Sequence, residues 1–337
     1  MSRPEEPVGA LALAAGVGIH ELSLPTPFAV GRVNLYLIED EPLTLIDTGP
    51  NSGSVLDDLE QRLAGRGFAI EDLGLIVLTH QHMDHVGLLE ILSRRSGAEV
   101  AAFAPLQHWL ADYEASATGD DEYAQAVMRR HGVPEDLVAV LGVVAAAFRP
   151  FGSSGAVTRP LRDGDLLELR DHSFDVFHRP GHSPSDMVFW ERDSRILIGG
   201  DHLLSHISSN PVVHRPLNGE THGPRPTPLI DYIASLRATA ELPAEMVLGG
   251  HGEPVVDHGE LIDERLRLHE RRASKILRML EREPLTAHQI AVEMWGNIAV
   301  TQAFLTLSEV LGHLDLLLSE GRIAELDDGV VSRFEAT

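Results

Sequence analysis

The sequence predicts an α/β protein: a layered, mixed domain over roughly residues 20–260, then a small helical unit that ends in a β-hairpin. Three observations predict it. Short apolar runs of strand length mix with helix-length segments as far as residue 260. From Ile262 the strand signals stop and helix-length segments follow one another. Near the end, Asp327-Asp328-Gly329 separates two short β-favouring runs, as a hairpin turn does. A length of 337 residues accommodates two such units.

In chain order, Val33–Glu39 and Leu43–Asp47 read as strands joined by a turn that contains Pro42. Val55–Ala64 reads as a helix. Leu75–Leu78 is a compact apolar run that stops at a dense polar cluster, the pattern of a buried strand. A helix over His85–Arg95 and a strand over Glu99–Phe103 follow. Residues 105–150 are Ala-rich and lack strand alternation, which predicts a helical insertion with helices at Leu106–Glu114, Glu122–His131 and Pro134–Phe148. Strands resume at Leu166–Glu168, Ser173–His178, Met187–Trp190 and Ile196–Ile198. A helix over Ile230–Ala240 and a strand over Met246–Leu248 complete the first domain, residues 1–262. In residues 263–337 and just before, helices are predicted over Ile262–Glu281, Ala287–Met294 and Leu305–Ser319, and strands over Arg322–Glu325 and Val330–Phe334. Helix, helix, helix, hairpin is the order of a small winged-helix unit.

Composition removes whole classes of function. Acidic residues number 51 against 27 basic ones, a net charge of −24. Such a surface repels nucleic-acid phosphates and anionic membranes. The absence of cysteine excludes disulfides, thiolate zinc sites, iron–sulfur clusters and a cysteine nucleophile. The longest apolar runs, Gly9–Ile19 and Leu137–Phe148, fall short of the ~20 residues a membrane-spanning helix needs. Glu5 and Glu6 precede the first run, where a secretion signal carries positive charge. The expected location is the cytoplasm.

The chemistry concentrates in Thr79-His80-Gln81-His82-Met83-Asp84-His85, directly after an apolar strand. An extended segment points His80 and His82 the same way. A tight turn then brings Asp84 and His85 to face a second point, so one short loop can serve two neighbouring cations. Three more candidate ligands are framed by glycine: His182 in Pro180-Gly181-His182-Ser183-Pro184, Asp201 in Gly199-Gly200-Asp201-His202, and His251 in Gly249-Gly250-His251-Gly252. Glycine lets a backbone turn sharply beside a ligand.

In identity and chain order these motifs resemble the metallo-β-lactamase superfamily, with Asp47 in Leu45-Ile46-Asp47-Thr48-Gly49 similar to its first motif. The resemblance covers roughly residues 20–260. It implies an αββα sandwich, with two facing sheets, helices outside and metals at one sheet edge. It also implies that His80, His82 and His182 hold one metal, that Asp84, His85 and His251 hold a second, and that Asp201 bridges the two. Asp47 would support the ligand loop without a metal bond. The implied cofactor is two divalent metal ions, zinc before iron or manganese, since mixed imidazole and carboxylate ligands suit all three. The implied chemistry is hydrolysis by a metal-bridging hydroxide, a nucleophile available at neutral pH without serine or cysteine. Asp84 and Asp201 are its catalytic carboxylates.

Departures from the family pattern narrow the expectation. Zinc β-lactamases of the main class place a cysteine where Asp201 stands, so antibiotic hydrolysis is not expected. Flavodiiron proteins replace a second-motif histidine by glutamate, whereas His82 is intact. A lactamase-like subgroup carries a winged-helix tail, and Leu285-Thr286-Ala287-His288-Gln289-Ile290 and Gly321-Arg322-Ile323 fit that tail. Some of its members cleave RNA. Here residues 263–337 hold 9 basic and 13 acidic side chains, most of the basic ones on the helix around Arg265–Arg282. A packing or homodimerisation role is therefore expected for the tail rather than nucleic-acid binding.

The expectation is a dinuclear metal-dependent hydrolase of a small ester, thioester or lactone. The substrate's apolar portion would lie against the Leu137–Phe148 helix of the insertion, a lid over the site. The alternatives are an endoribonuclease of the winged-helix subgroup and a regulatory binding protein that keeps metal for structure. His202, beside Asp201, is the candidate acid for the leaving group, with His206 as second choice. The histidines outside these motifs, His131, His269 and His313 among them, are expected to be surface or structural.

Overall fold

The computed structural model describes residues 7–219, 225–296, 302–327 and 329–337. Two β-sheets lie face to face. The first has six strands in chain order: β1 (Ile19–Leu24), β2 (Val33–Ile38), β3 (Thr44–Ile46), β4 (Leu75–Val77), β5 (Glu99–Phe103) and β6 (Arg159–Leu161). Pairing is antiparallel from β1 to β3 and parallel from β3 to β6. The second sheet has the order β11-β10-β9-β8-β7, built from β7 (Leu166–Glu168), β8 (Ser173–His178), β9 (Met187–Glu191), β10 (Ile196–Gly200) and β11 (Met246–Gly249). Only β10 and β11 run parallel there.

Side-chain alternation along β2 shows how the layers form. Leu35 and Leu37 join the cluster that holds Val55, Leu59 and Leu63 of the helix Gly53–Ala64. Tyr36 and Ile38 join the cluster between the sheets, with Phe174, Phe189 and Ile198 from the second sheet. Successive strand residues face opposite ways, and both faces of this strand are covered, so it reads as an apolar run interrupted only by Asn34. On the far side, Val188, Trp190, Leu197 and Val247 meet Leu229, Tyr232 and Leu236 of the helix Pro228–Ala240. The layers are helix, sheet, sheet, helix, the α/β arrangement the motifs implied.

Several elements differ from the sequence expectation. The apolar run Gly9–Ile19 is divided between a helix, Pro7–Gly16, and the start of β1. β6, Arg159-Pro160-Leu161, has three residues and a central proline, which suits an edge strand and gives no sequence signal. The helix expected over His85–Arg95 is two, Met83–Val86 and Leu89–Ser96. Between them Gly87 lies so close to the backbone of Asn51 and Phe151 that a Cβ would fall 2.2 Å from each. The insertion comprises Leu106–Ala111, Tyr113–Arg130 and Glu135–Phe148. Its middle helix starts nine residues earlier than expected because Asp112 caps it, accepting from Ala115 N at 3.2 Å.

At the C-terminal end lie helices His258–Leu280, Ala287–Trp295 and Ala303–Ser319, then β12 (Ile323–Asp327) and β13 (Ser332–Ala336) as an antiparallel pair. Thr286 and Gln289 form a reciprocal cap on the second helix, at 2.9 and 3.1 Å. Asp328 of the expected hairpin turn lies outside the described residues. These helices do not pack alone. Val127, Met128, Val133 and Val138 of the insertion share one apolar cluster with Ile276, Ile290, Leu307, Val310 and Leu314. His131 seals the junction: its ring stacks on Phe334 and its carbonyl accepts from His288 N at 3.2 Å. Among the described residues, no helix is long and apolar enough to cross a membrane.

Burial, helped by Arg225 and Arg130, pulls the His131 pKa from 6.5 down to about 3. The folded chain therefore binds fewer protons than the unfolded chain between those values. Stability is highest above pH 6.5 and falls as pH drops through that window. We predict that the melting temperature falls on going from pH 7.5 to 5, and that His131→Phe, which cannot take up the proton, gives a shallower fall.

Candidate metal centre

Every motif residue lies at one edge of the sandwich because each follows the end of a strand. Asp47 follows β3, the His80–His85 segment follows β4, Asp201 follows β10 and His251 follows β11 by two residues. His182 sits in the connection between β8 and β9. After β4 the chain stays extended to His82 and then turns into the short helix Met83–Val86, which carries Asp84 and His85 on its first turn. Close approach to Asp201 requires glycine at 250, where a Cβ would fall 2.3 Å from Asp201 Oδ1.

The structure brings all seven predicted ligand side chains together. His80 Nε2 lies 3.1 Å from His82 Nδ1, and His182 Nε2 lies 2.9 Å from that same atom. Asp201 stands in the middle: Oδ1 is 3.5 Å from His85 Nε2, and Oδ2 is 3.6 Å from His182 Nε2 and 3.5 Å from His251 Nε2. Asp84 Oδ2 is 3.4 Å from His251 Nε2. Three ligand-grade groups result: His80, His82 and His182; His80, His85 and Asp201; Asp84, His85 and His251.

The outward nitrogen of four rings is anchored to protein. His85 Nδ1 donates to Asp47 Oδ2 at 2.7 Å, and His251 Nδ1 to the Arg32 carbonyl at 2.7 Å. His182 Nδ1 donates to the Asn210 carbonyl at 3.1 Å, and His80 Nδ1 contacts Thr79 Oγ1 at 3.0 Å. Asp47 also accepts from Thr79 N and Thr79 Oγ1, both at 2.8 Å. It does so at φ 63°, a left-handed conformation that Asp and Asn tolerate. Anchoring one ring nitrogen directs the lone pair of the other inward, the arrangement metal-binding histidines have.

The inward atoms are left without partners of the right kind. Among the described residues, no hydrogen bond reaches His85 Nε2, His251 Nε2 or Asp201 Oδ1, although all three are buried. Burial works to discharge His85, yet the Asp47, Asp201 and Asp84 carboxylates outweigh it and hold its pKa well above the usual value. Burial also opposes charge on His251, but Asp201 and Asp84 raise it to about 10. His82 goes the other way, lowered to about 3 by burial and by His182. Asp201 would be raised by burial, but His251 and His85 keep it well below the carboxylate range. Orphaned buried donors and acceptors are costly, and bound cations would satisfy all of them at once. The donor set therefore fits a pair of divalent metal ions.

Beside the centre lies a cavity of about 580 Å³. Gln81, His82 and Asp84 line it together with a mostly apolar and aromatic wall that includes Trp109, Tyr113 and Phe148. One face of the Glu135–Phe148 helix contributes Leu141, Val144, Ala145 and Phe148. Val143 is 72% exposed and outside the wall, and Val138 is buried in the C-terminal cluster, so only part of the expected lid surface faces the cavity.

His202 corrects an expectation. Its ring is fully buried, with Nε2 2.9 Å from Thr239 Oγ1 on the Pro228–Ala240 helix and an edge against Tyr232. It does not line the cavity, and burial lowers its pKa to about 3. It packs one layer behind Asp201 and is not placed to protonate a leaving group. His269 and His313 are buried rather than superficial: with Glu309 they form a fourth cluster, in which Arg272 pairs with Glu309 at 2.6 Å and His269 Nδ1 meets His313 Nε2 at 3.3 Å. Sequence reasoning missed Asn34 and Asn210. Asn34 donates to the carbonyls of Gly249 and Gly252, holding the His251 loop. Its signal was visible, a lone amide inside an apolar strand.

The sequence profile of the Metallo-beta-lactamase superfamily matches residues 29–251. The chain is 34% identical to "Probable metallo-hydrolase YqjP" of Bacillus subtilis over 308 residues, covering 91% of this chain and 94% of that protein. It is 29% identical to human "Acyl-coenzyme A thioesterase MBLAC2" over 184 residues, covering 50% of this chain and 58% of that protein. The crystal structure of metallo-beta-lactamase family protein TTHA1429 from Thermus thermophilus superposes with a TM-score of 0.78 at 27% identity, covering 95% of this chain and 99% of that one.

Asp47 accepts three hydrogen bonds, and an asparagine offers one oxygen in the same tolerated backbone conformation. Asp47→Asn is predicted to weaken metal binding by about 10–100-fold, the range for such supporting residues, with the melting temperature of the metal-free protein little changed. A competition titration against a coloured chelator measures it.

Proposed function

Given that the chain belongs to the metallo-β-lactamase superfamily, whose members typically bind divalent metals, we propose that it is a dinuclear hydrolase of small esters or thioesters, lactones included, with an apolar acyl portion. His80, His82 and His182 would hold one ion, Asp84, His85 and His251 the second, and Asp201 would face both. Bound there, two divalent ions supply Lewis acidity and a water whose pKa falls to about 7 in zinc sites. Zinc is the first choice of metal.

The observation that carries this reading is the position of the donor set beside an apolar cavity. The protein's own residues do the rest. Aromatic walls would exclude water and hold an apolar group, which would leave its carbonyl beside His82 and Asp84. Asp84, anchored by neither Asp47 nor a backbone donor among the described hydrogen bonds, faces the cavity and is placed to take a proton from attacking water. Carboxylates in the wall are neutralised: Arg215 pairs with Asp120 at 2.9 Å and Arg149 with Asp121 at 2.6 Å. The name of the human relative, a thioesterase, supports the thioester class. The net charge of −24 disfavours an RNA substrate. We read the C-terminal helices and hairpin as a winged-helix-like unit that packs on the insertion and does not read nucleic acid.

Two equivalents of metal per chain are predicted by elemental analysis of the purified protein. His82→Ala combined with Asp201→Ala is expected to remove most of that metal and all hydrolysis in a screen of esters, thioesters, lactones and RNA. Full metal content in the double variant, or activity confined to RNA, contradicts the proposal.

A further inference from the structure

The cavity has a second wall that the sandwich does not supply. We propose that the helix Ala303–Ser319 completes the acyl-binding site, with Phe304 as the residue that limits acyl-chain length; this rests on the hydrolase reading above.

Two sets of side chains define the cavity's direction. Trp109 and Tyr113 belong to the main core cluster beside the His80–His85 segment. Met128, Val213 and Phe304 belong to, or pack on, the cluster formed by the insertion and the C-terminal helices. The cavity therefore lies between the ligand residues and the C-terminal helices, and Phe304 stands in the wall those helices supply. Phe304 is half-buried, so its ring has room to end a chain rather than fill the core.

The same helix is tied to the ligands. Asn210 presents its carbonyl to His182 Nδ1 at 3.1 Å and donates its side-chain amide to the Leu305 carbonyl at 2.9 Å. Three residues on, Val213 N donates to Ser308 Oγ at 3.2 Å. One segment, leaving Asp201, thus fixes the first turns of the C-terminal helix relative to the ligand His182. A ruler for chain length works only if its end is fixed relative to the reacting centre, and these bonds fix it.

A series of straight-chain acyl thioesters and p-nitrophenyl esters tests the assignment on the metal-loaded, full-length protein. In the wild type, kcat/KM should rise by about fourfold per added methylene, equivalent to ~0.8 kcal/mol each, up to an optimum and then fall. Phe304→Ala should move the optimum to longer chains and Phe304→Trp to shorter ones, mainly through KM, with metal content unchanged. Val143→Ser, on the exposed face of the insertion, serves as the control and should leave the profile where it was. Opposite shifts cannot come from a general loss of structure. An optimum that stays fixed in both Phe304 variants, or equal losses at all lengths, overturns the proposal. Calorimetric binding of straight-chain carboxylic acids, the product class, separates the two readings. If no ester or thioester is hydrolysed but the preferred acid length still shifts with Phe304, the site stands and the hydrolase reading fails. If no acid binds with a length preference, the site fails.

Discussion

Five imidazoles and two carboxylates occupy one small buried volume, and their inward-facing atoms cannot satisfy one another. The surrounding structure serves that constraint. Asp47, Thr79, the Arg32 carbonyl and the Asn210 carbonyl each hold the outer side of a ring. Asn34 and Tyr36, from the first sheet, bind carbonyls of the loop that carries His251 in the second. The two sheets are therefore locked together at the edge where the ligands converge. Without cations the neighbouring carboxylates push the pKa of His85 and His251 up, while burial pushes those of His80 and His82 down. Opposed shifts within one buried cluster are costly, and bound cations would relieve them.

Most of this centre was legible in the sequence because its ligands sit in short segments after strands. A strand end fixes position, and the residues next to it have few ways to point. His80, His82, Asp84 and His85 share a single loop, so their convergence needs no knowledge of the fold. The partners of those ligands were not legible. Arg32 and Asn210 act through backbone carbonyls, which carry no residue-type signal, and their distance from the histidines in the chain hides the contact. His202 misled for the opposite reason. Adjacency to Asp201 in sequence looks like adjacency to the substrate, but after β10 the turn sends the side chain back into the layer beneath the Pro228–Ala240 helix.

Among the described residues the tail holds the three expected helices and an antiparallel strand pair, with boundaries shifted by a few residues. What sequence patterning did not reveal is where its apolar faces go. Leu307, Val310 and Leu314 pack in a core built mainly by the tail's own residues, Ile276 and Ile290 among them, which Val127, Met128 and Val138 of the insertion join. An Ala-rich insertion looks self-sufficient by periodicity alone, because periodicity shows that a face is apolar and not which element covers it. The insertion and the tail share one apolar cluster, and both contribute side chains to the cavity wall.

The shared cluster also sets a timetable for the chain during synthesis. The ribosome releases the ligand-bearing strands and the insertion long before the helix Ala303–Ser319 emerges. Until then the apolar cluster of the insertion lacks the share that Leu307, Val310 and Leu314 supply, and the cavity lacks the wall residues Ala303, Phe304 and Leu305. A nascent or truncated chain that stops short of residue 303 therefore displays a greasy surface to chaperones and proteases, while a finished chain hides it. A chain without the helix Ala303–Ser319 would lack Ala303, Phe304 and Leu305, and with them one wall of the pocket.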